Sequence, residues 1–269
     1  MKTLQLKQDL ETELFSFFAN TKAKKTIIGI SGGIDSAVTL AIAVNALGKE
    51  NVFALLLPYK LGEVSSYANF EDAENLCKKL GIEYQKIELD NFVKPYLEIQ
   101  SLDIPNSENL LILGNTLARI RMTLLFAHAN KLNGIVLGTC NLTEILLGYE
   151  TKFGDGAADV SVIGNLWKFE VYKLAKLYKL PKSFITKKPS AELYENQSDE
   201  DEMGFSYDEA EIILSALLNK NILPDKKQVL KKLNLILSNS GISKSIIEKI
   251  YNMHINSEHK RIPLPTLLS

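Results

Sequence analysis

The sequence predicts an α/β protein in which a parallel sheet has helices on both faces and is followed by a small helical C-terminal cap. Two patterns predict this fold. Short, β-branched apolar runs alternate with segments of helical periodicity as far as Thr139, whereas residues 207–256 show helical periodicity alone. Hydrophobic residues make up 46% of the chain and charged residues 23%, which is typical of a protein with a packed core.

The predicted elements follow one another regularly along the chain. An amphipathic helix over residues 4–19 is expected to cover the core or to contact another subunit, and Gly48 and Gly81 are expected to end two later helices. The predicted strands cover residues 25–30, 52–57, 83–89 and 134–139, and the other predicted helices cover residues 35–47, 70–80, 107–132, 167–178 and, as a cap, 207–256. Residues 148–165 form a long irregular stretch of the kind that is usually functional, and the acidic residues 189–205 are expected to be a mobile loop.

The chain is expected to fold as one domain over residues 1–269. Its parts are an N-terminal helix (1–22), an α/β core (23–190) and a mobile loop, helical cap and tail (191–269). The 31 Lys and Arg residues nearly balance the 32 Asp and Glu residues, which argues against a dedicated nucleic-acid-binding protein. With Cys77 and Cys140 as its only cysteines and no apolar run of about 18 residues, the chain is expected to be cytoplasmic.

The strongest local signal lies between the first predicted strand and the next helix, in Gly29-Ile30-Ser31-Gly32-Gly33-Ile34-Asp35-Ser36. Two adjacent glycines allow a phosphate to approach the backbone N–H groups, and a helix that starts there directs its positive end at the same place. The two serines add hydroxyl donors. The aspartate would repel a phosphate unless a divalent cation lay between them, so it indicates Mg²⁺ bound with a nucleotide. A tight turn with the aspartate as N-cap is the alternative for the glycine pair alone.

Ligands of parallel α/β sheets collect at the carboxyl ends of the strands, so the chemistry is expected after Ile30, Leu57 and Thr139. Glu144 follows the last of these strand ends and could supply a second carboxylate to the metal ion. A solvated helix charge is the alternative for Glu144, and an ordinary strand-end hydroxyl is the alternative for Thr139.

The sequence of residues 29–36 resembles the PP-loop of the ATP pyrophosphatases, which cleave ATP between the α and β phosphates to adenylate an oxygen of their substrate. Further segments, in the right order, resemble successive motifs of the bacterial NAD synthetases. These segments are Gly114–Met122, Gly138–Glu144, Gly148–Asp159, Trp167–Tyr172, Lys188–Leu193, Gln197–Glu200 and His259–Arg261. The resemblance covers residues 25 to 265, and an ordered series of this kind is very unlikely to arise by chance.

The resemblance implies an adenine nucleotide α-hydrolase-like, Rossmann-like fold and an AMP-forming carbon–nitrogen ligase of NAD biosynthesis. Such an enzyme adenylates the nicotinate carboxylate of deamido-NAD with ATP, releases pyrophosphate, and lets ammonia displace AMP to give NAD. Glutamine-using relatives carry an additional amidohydrolase domain, for which 269 residues leave no room, so free ammonia is the expected nitrogen source. The resemblance also implies a homodimer with the dinucleotide bound at the interface, for which residues 107–132 and 4–19 are candidate contact surfaces.

The resemblance also assigns site residues. It places Mg²⁺ on Asp35 and Glu144, and ATP on Gly29, Ile30, Ser31, Gly32, Gly33, Ile34, Asp35, Ser36, Thr139, Lys168 and Ser190. It gives the deamido-NAD site Arg119, Lys152, Asp159, His259 and Lys260, each of which taken alone could be an ordinary surface residue. Lys168 and Asp155 are the expected catalytic residues, with Asp155 holding or deprotonating the incoming ammonium. An Asp-Gly turn is the alternative role for Asp155.

Two other classes of function share the PP-loop. Another AMP-forming ligase or a tRNA-modifying enzyme would use the same loop, but the latter is disfavoured because the chain has neither a basic RNA-binding composition nor a CxxC pair. A nucleotide sensor could keep the loop without turnover. The Asp35 and Glu144 pair disfavours a sensor, because binding alone does not need two carboxylates directed at a metal.

Overall fold

A five-stranded parallel sheet lies at the centre of the molecule. The computed structural model describes residues 1–61, 64–99, 101, 107–190, 198–218 and 226–263. Its strands are β1 (Lys25–Gly29), β2 (Val52–Leu56), the two-residue strands β3 (Lys60–Leu61) and β4 (Val64–Ser65), then β5 (Glu83–Lys86), β6 (Gly134–Gly138) and β7 (Val160–Ser161). The sheet has the order β5-β2-β1-β6-β7, and β3 and β4 form a separate antiparallel pair. The central strand β1 therefore ends at the middle of the carboxyl edge.

Thirteen α-helices are described, together with 3-10 turns over Lys49–Asn51 and Tyr67–Asn69. The helices are α1 (Lys2–Ala19), α2 (Ile34–Leu47), α3 (Phe70–Leu80), α4 (Asp90–Ile99), α5 (Ser107–Leu132), α6 (Leu142–Leu147), α7 (Lys168–Leu177), α8 (Lys182–Thr186), α9 (Asp199–Met203), α10 (Tyr207–Leu218), α11 (Lys226–Ile236), α12 (Lys244–Asn256) and α13 (Glu258–Arg261).

The alternation of side chains along β1 separates two hydrophobic layers. Ile28 packs into a core formed with α2, α3, α7 and α8, and α1 covers the outside of that layer. Its neighbour Ile27 faces the opposite side, where α5 packs against β1 and β6 and is itself contacted by α4. Helices thus cover both faces of the sheet, as predicted.

The cap is a third hydrophobic cluster, beyond the carboxyl edge of the sheet. Helices α10, α11 and α12 pack on one another, and α10 and α12 also pack on α6. Leu146 and Leu147 of α6 belong to this cluster together with Ile213 and Ile250. Because α6 directly follows the end of β6, it connects the sheet to the cap.

Several predicted boundaries need correction. The third predicted strand ends at Lys86, and α4, which the sequence pattern does not predict, contains Pro95. The stretch expected to be irregular includes β7. Part of the acidic stretch expected to be a mobile loop is helix α9, with Ser198 and Asp199 buried, whereas residues 191–197 lie outside the described part of the chain. Acidic side chains at a helix N-terminus stabilise the helix, which explains how so acidic a segment forms one.

Among the described helices, only α5 is long and apolar enough, over Asn109–Leu132, to cross a membrane. This helix packs against two central strands through Leu117 and Leu125, among other residues. One face of α5 therefore belongs to the core of the α/β layer, while its other side leaves Leu111 and Ile112 exposed.

Candidate active site

The loop after β1 forms a compact turn that leads into α2. Its serines bond within the loop: the Ser36 hydroxyl donates to the carbonyl of Gly33 at 3.0 Å, and the Gly33 N–H donates to Ser31 Oγ at 3.1 Å. Gly32 has a φ of 91°, and a Cβ built there would lie 2.5 Å from Cβ of Asn69. Only glycine fits this position.

Helix α2 begins at this loop with Gly33 as its N-cap residue, which has no side chain to bond the first N–H groups. The first backbone N–H groups of a helix lack intrahelical partners and carry partial positive charge. The loop and the helix start can therefore accept an anion, as the sequence predicts.

A buried lysine joins the loop to the end of β6. The Lys168 ammonium, at the start of α7, lies 2.6 Å from Oδ2 of Asp35 and 3.1 Å from Oε1 of Glu144. Only 3% of the Lys168 side chain is exposed, against 17% for Asp35 and 13% for Glu144. Three residues predicted for the ATP and metal site are thus in direct contact.

Asn141 orients both carboxylates of this group. Its side-chain oxygen accepts from the backbone N–H of Glu144, the Glu144 carboxylate accepts from the backbone N–H of Asn141, and these two bonds form a capping box at the start of α6. The Asn141 amide also donates to Oδ1 of Asp35 at 2.9 Å. Asn141 is not among the predicted site residues, although its spacing from Glu144 is a recognisable capping signal.

The electrostatics of the group follow from its burial. Burial raises the pKa of the Glu144 carboxyl, Lys168 opposes this rise, and Asp35 adds to it. Burial acts to lower the pKa of Lys168, but the two carboxylates outweigh it and the net pKa is raised. The lysine is therefore a permanent cation. When both carboxylates are ionised, the three side chains together carry a net charge of -1.

A second acidic group, contributed by α9 and α10, adjoins the first. The Tyr207 hydroxyl lies 3.1 Å from Oδ2 of Asp199 and 3.4 Å from Oε1 of Glu144, and the Lys168 ammonium lies 4.8 Å from the centre of the Tyr207 ring. The Tyr149 hydroxyl also contacts Asp199, at 3.3 Å. Burial raises the pKa of the Asp199 carboxyl, although Lys168 opposes this rise. None of these three residues is among the predicted site residues, although Tyr149 and Asp199 lie in segments that resemble family motifs; their contacts depend on how α9 and α10 pack against the end of α6.

The donor set can be compared with what Mg²⁺ requires. No cluster of three or more His, Cys, Asp or Glu side chains suited to a metal ion occurs among the described residues. Mg²⁺ often takes only one or two carboxylates and completes its coordination with substrate phosphates and water. Asp35 and Glu144, which converge on one cation and have excess negative charge, fit a Mg²⁺ that is bound together with a nucleotide.

The residues assigned to the dinucleotide form a second cluster. The Arg119 guanidinium donates to the carbonyl of Lys152 at 3.2 Å, and the Lys152 ammonium donates to the carbonyl of His259 at 2.8 Å. The Lys260 ammonium donates to the carbonyl of Gly148 at 2.7 Å, at the end of α6. The structure thus brings these four cations and potential cations together, although their positions in the sequence are far apart.

The remaining predicted residues all follow β6 in the chain, and two of them accept bonds from backbone N–H groups. Oδ1 of Asp155 accepts from the backbone N–H of Thr151 at 2.8 Å, so this exposed aspartate does stabilise a turn, and its other oxygen lies 3.7 Å from Sγ of Cys140. Asp159 accepts from the backbone N–H of Val136 at 2.7 Å and so extends the ladder between β6 and β7. Thr139 and Ser190 are half-buried.

Comparison with known proteins agrees with this arrangement. The family model described as NAD synthase matches residues 6–264. The chain is 42% identical over 235 residues to an NH(3)-dependent NAD(+) synthetase of Pyrococcus horikoshii, and the match covers 87% of this chain and 84% of that protein.

Two solved structures are similar over the full length of both chains. An NMN synthetase from Francisella tularensis superposes with a TM-score of 0.82 at 34% identity, and an NH3-dependent NAD synthetase from Campylobacter jejuni superposes with a TM-score of 0.77 at 30% identity. Because the family match runs through the α/β core, both residue clusters and the cap, this chain belongs to the NAD synthase family.

Proposed function

We propose that this chain catalyses the ATP-dependent amidation of deamido-NAD to NAD with free ammonia, and releases AMP and pyrophosphate. The observation that carries the proposal is the contact of Lys168 with Asp35 and Glu144 beside the phosphate-binding loop, in a chain of the NAD synthase family. The name of the Pyrococcus horikoshii relative supports ammonia as the nitrogen donor.

The first step forms an adenylate. An oxygen of the nicotinate carboxylate attacks the α-phosphorus of ATP, the bond from that phosphorus to the oxygen bridging to the β-phosphate breaks, and pyrophosphate leaves with the electron pair. The backbone N–H groups at the start of α2, together with the hydroxyls of Ser31 and Ser36 once they turn from the loop, are assigned to the phosphates. Lys168 offsets the negative charge that builds up on them, and Thr139 and Ser190 are assigned to ATP on the family resemblance.

The residues that would hold Mg²⁺ are Asp35 and Glu144. The ion would neutralise phosphate oxygens and so help two anions, the carboxylate and ATP, to approach each other. Lys168 directs both carboxylates at one point, because its ammonium contacts an oxygen of each.

The second step makes the amide. The nitrogen of ammonia attacks the carbonyl carbon of the adenylate, AMP leaves, and the nitrogen loses a proton. Ammonium must also lose a proton before it can attack, and the exposed Asp155 carboxylate is the group that we assign to bind the cation or accept this proton. Cys140 is not suited to act as a nucleophile here, since burial raises the pKa of its thiol well above the usual range.

Deamido-NAD is proposed to bind at the second cluster. Arg119, Lys152 and Lys260 provide cations for the two phosphates of the dinucleotide, and His259 and Asp159 are assigned to the same site on the family resemblance. The two clusters lie at opposite ends of helix α6. Six residues give this helix a length of about 9 Å, so one dinucleotide is long enough to reach from one cluster to the other.

A homodimer with the dinucleotide at its interface is also part of the proposal. Helix α5 carries large exposed apolar side chains at Leu111 and Ile112. Only 28% of its most apolar 18-residue stretch is buried within one chain. A second copy of the chain that packed on this helix would remove that apolar surface from water.

A second candidate substrate is the nicotinate mononucleotide, whose amide is NMN. The observation that favours it is the superposition, over the full length of both chains, with a protein named as an NMN synthetase. The two acids share the carboxylate that would be adenylated and differ in the adenosine monophosphate half. The chemistry proposed above therefore applies to either.

The test is a steady-state assay of the purified chain with ATP and Mg²⁺. Deamido-NAD and nicotinate mononucleotide are compared as acids, each with ammonium or with glutamine, and the amide, AMP and pyrophosphate are all measured. We expect NAD and AMP in equal amounts with ammonium and deamido-NAD, and a lower kcat/KM with the mononucleotide. A higher kcat/KM with the mononucleotide would assign the second substrate, and the absence of AMP with both acids, from folded protein, would refute the proposal.

A further inference from the structure

A cavity of about 510 Å³ opens beside Lys168, and its walls include no residue of the dinucleotide cluster. These walls are the exposed face of α7, the chain from Ile185 to Pro189, and the start of α10 at Tyr207 and Asp208. The cavity is thus continuous with the group formed by Lys168, Asp35 and Glu144, but it extends beyond any residue that the proposed function uses.

Among the described residues that line the cavity, lysines outnumber acidic residues, with Lys168, Lys173, Lys176, Lys187 and Lys188 against Glu200 and Asp208. Asp35 and Glu144 offset the charge of Lys168 and Asp72 offsets that of Lys187, so the positive charge left for a ligand is that of Lys173, Lys176 and Lys188. Glu200 is already engaged, since it accepts from the backbone N–H of Tyr207 at 2.9 Å. The surface therefore favours an anion that carries several charges.

The lysines on α7 lead from the buried site towards solvent. From Lys168 to Lys176 the helix rises about 12 Å, which is longer than a pyrophosphate ion, and Lys173 lies between them. In the part of the chain that the structure describes, neither Lys173 nor Lys176 has a carboxylate within ion-pair distance; the Lys173 ammonium lies 4.5 Å from the centre of the Phe169 ring. Both can therefore turn towards an anion in the cavity.

The opposite wall is attached to the phosphate-binding loop. The Lys187 ammonium lies 3.1 Å from Oδ2 of Asp72 and also bonds to the side chain of Asn69. Asn69 is the residue that packs against Gly32. An anion that passes from the loop into the cavity thus meets Lys187 on one wall and the lysines of α7 on the other.

We propose that this cavity receives the pyrophosphate released from ATP, and that Lys173 and Lys176 bind it on its way to solvent. The source of the pyrophosphate rests on the proposed function, whereas the binding of a polyphosphate anion rests on the cavity alone. A separate outlet matters because the adenylate still occupies the site when pyrophosphate leaves, and pyrophosphate held beside it could reverse the reaction. A trianion or tetra-anion is drawn along a row of ammonium groups more readily than through a neutral surface.

The test is a calorimetric titration of the folded protein with inorganic pyrophosphate, without ATP or deamido-NAD. Wild type is compared with the double variant K173Q/K176Q and with K179Q/K182Q, which removes the same charge from exposed lysines that do not line the cavity. We expect K173Q/K176Q to bind pyrophosphate about tenfold more weakly or worse. The control variant should stay within about twofold of wild type, because exposed charges away from a ligand contribute little.

The salt dependence gives a second readout. The plot of log Kd against log salt concentration should be less steep for K173Q/K176Q than for wild type, because fewer ammonium groups contact the anion. Equal affinity in wild type and K173Q/K176Q, or an equal loss in both double variants, would overturn the assignment. A failure of the proposed function is recognised separately, since it would abolish AMP formation without changing this pattern of pyrophosphate binding.

Discussion

Lys168 is a single ammonium that serves two carboxylates in a nearly dry environment. The variant K168M leaves Asp35 and Glu144 close together with no cation between them, so we expect the free energy of unfolding to fall by about 3 kcal/mol. Urea denaturation at pH 7 measures this loss. The double variant K168M/E144Q should recover part of it, because a neutral amide removes the repulsion that K168M creates.

Two results would contradict this account of Lys168. K168M as stable as wild type would mean that water already screens the carboxylates. K168M/E144Q less stable than K168M would mean that repulsion between the two carboxylates does not cause the loss, since a glutamine can still accept the capping bond from the backbone N–H of Asn141.

Single residues can be predicted from the sequence where a local pattern carries the signal. Gly32 and Asp35 belong to one short string between a strand and a helix; the structure gives Gly32 the positive φ and close packing that favour glycine, and it places Asp35 against Lys168. Asn141 has a local signal too, its capping spacing to Glu144, although the chemical motifs alone do not single it out. Asp199 lies in a segment that resembles a family motif, but neither it nor Tyr207 has a pattern that indicates contact with the site, because that contact depends on how the C-terminal part packs.

At the level of helices and strands, length decides what can be predicted. Helix α5 has the bounds that the sequence predicts, because 26 residues give a long periodic pattern. Strand β7 has two residues, too few for any periodicity, and a proline within α4 weakens its helical signal. The prediction of a loop over α9 is wrong because its four consecutive acidic residues show no apolar face.

The end of α6 depends on a glycine that holds the C-terminal segment in place. Gly148 has a φ of 66°, and a Cβ built there would clash with Cβ of Ser257. Gly241 is a matched control, with a φ of 77° and, among the described residues, no heavy atom within 4 Å of a Cβ built there. Gly241→Ala should cost about 1 kcal/mol from backbone strain, and Gly148→Ala about 2 kcal/mol more because it displaces Ser257.

Thermal or urea denaturation of the two alanine variants checks this difference. Ser257 precedes α13, whose Lys260 bonds to the carbonyl of Gly148, so Gly148→Ala should also raise the KM for deamido-NAD. Equal stability losses in the two variants would show that the C-terminal segment moves aside without cost.

Helix α12 contacts the end of α6 through a histidine that is held neutral. Nδ1 of His254 lies 2.8 Å from the carbonyl of Leu146, and burial, aided by the nearby charge of Arg261, lowers the pKa of the imidazole despite that bond and despite Glu258. The folded chain thus binds this proton less readily than the unfolded chain. The neutral His254 therefore stabilises the folded chain fully above a pH of about 6.5, and this contribution is lost as the pH falls through the lowered pKa of the imidazole.

The pH dependence of stability tests the role of His254. We expect the melting temperature of wild type to fall more between pH 7.5 and pH 5.5 than that of His254→Asn, whose amide can replace Nδ1 and does not titrate. Parallel curves for the two proteins would show that His254 does not contribute to acid sensitivity.

For the whole molecule, the topology explains why two clusters of charged residues from distant parts of the sequence form one edge. β1 and β6 are neighbours, so the loop after β1 meets the start of α6, and the cap then brings α13 to the other end of that helix. The order of the sheet places these residues next to each other, which no spacing along the sequence could show.

A single surface substitution can test the proposed dimer. Leu111 of α5 is 59% exposed and Phe15 of α1 is 57% exposed. A glutamate at either position therefore replaces a similar amount of exposed apolar surface on one chain by a charge. If α5 forms the interface, light scattering should give Leu111→Glu the 30.0 kDa mass of one chain, and should give wild type and Phe15→Glu twice that mass.

Leu111→Glu should also raise the KM for deamido-NAD and leave ATP binding unchanged, since only the dinucleotide is proposed to lie at the interface. A monomer caused by Phe15→Glu alone would move the interface to α1, and monomeric wild type would refute the dimer.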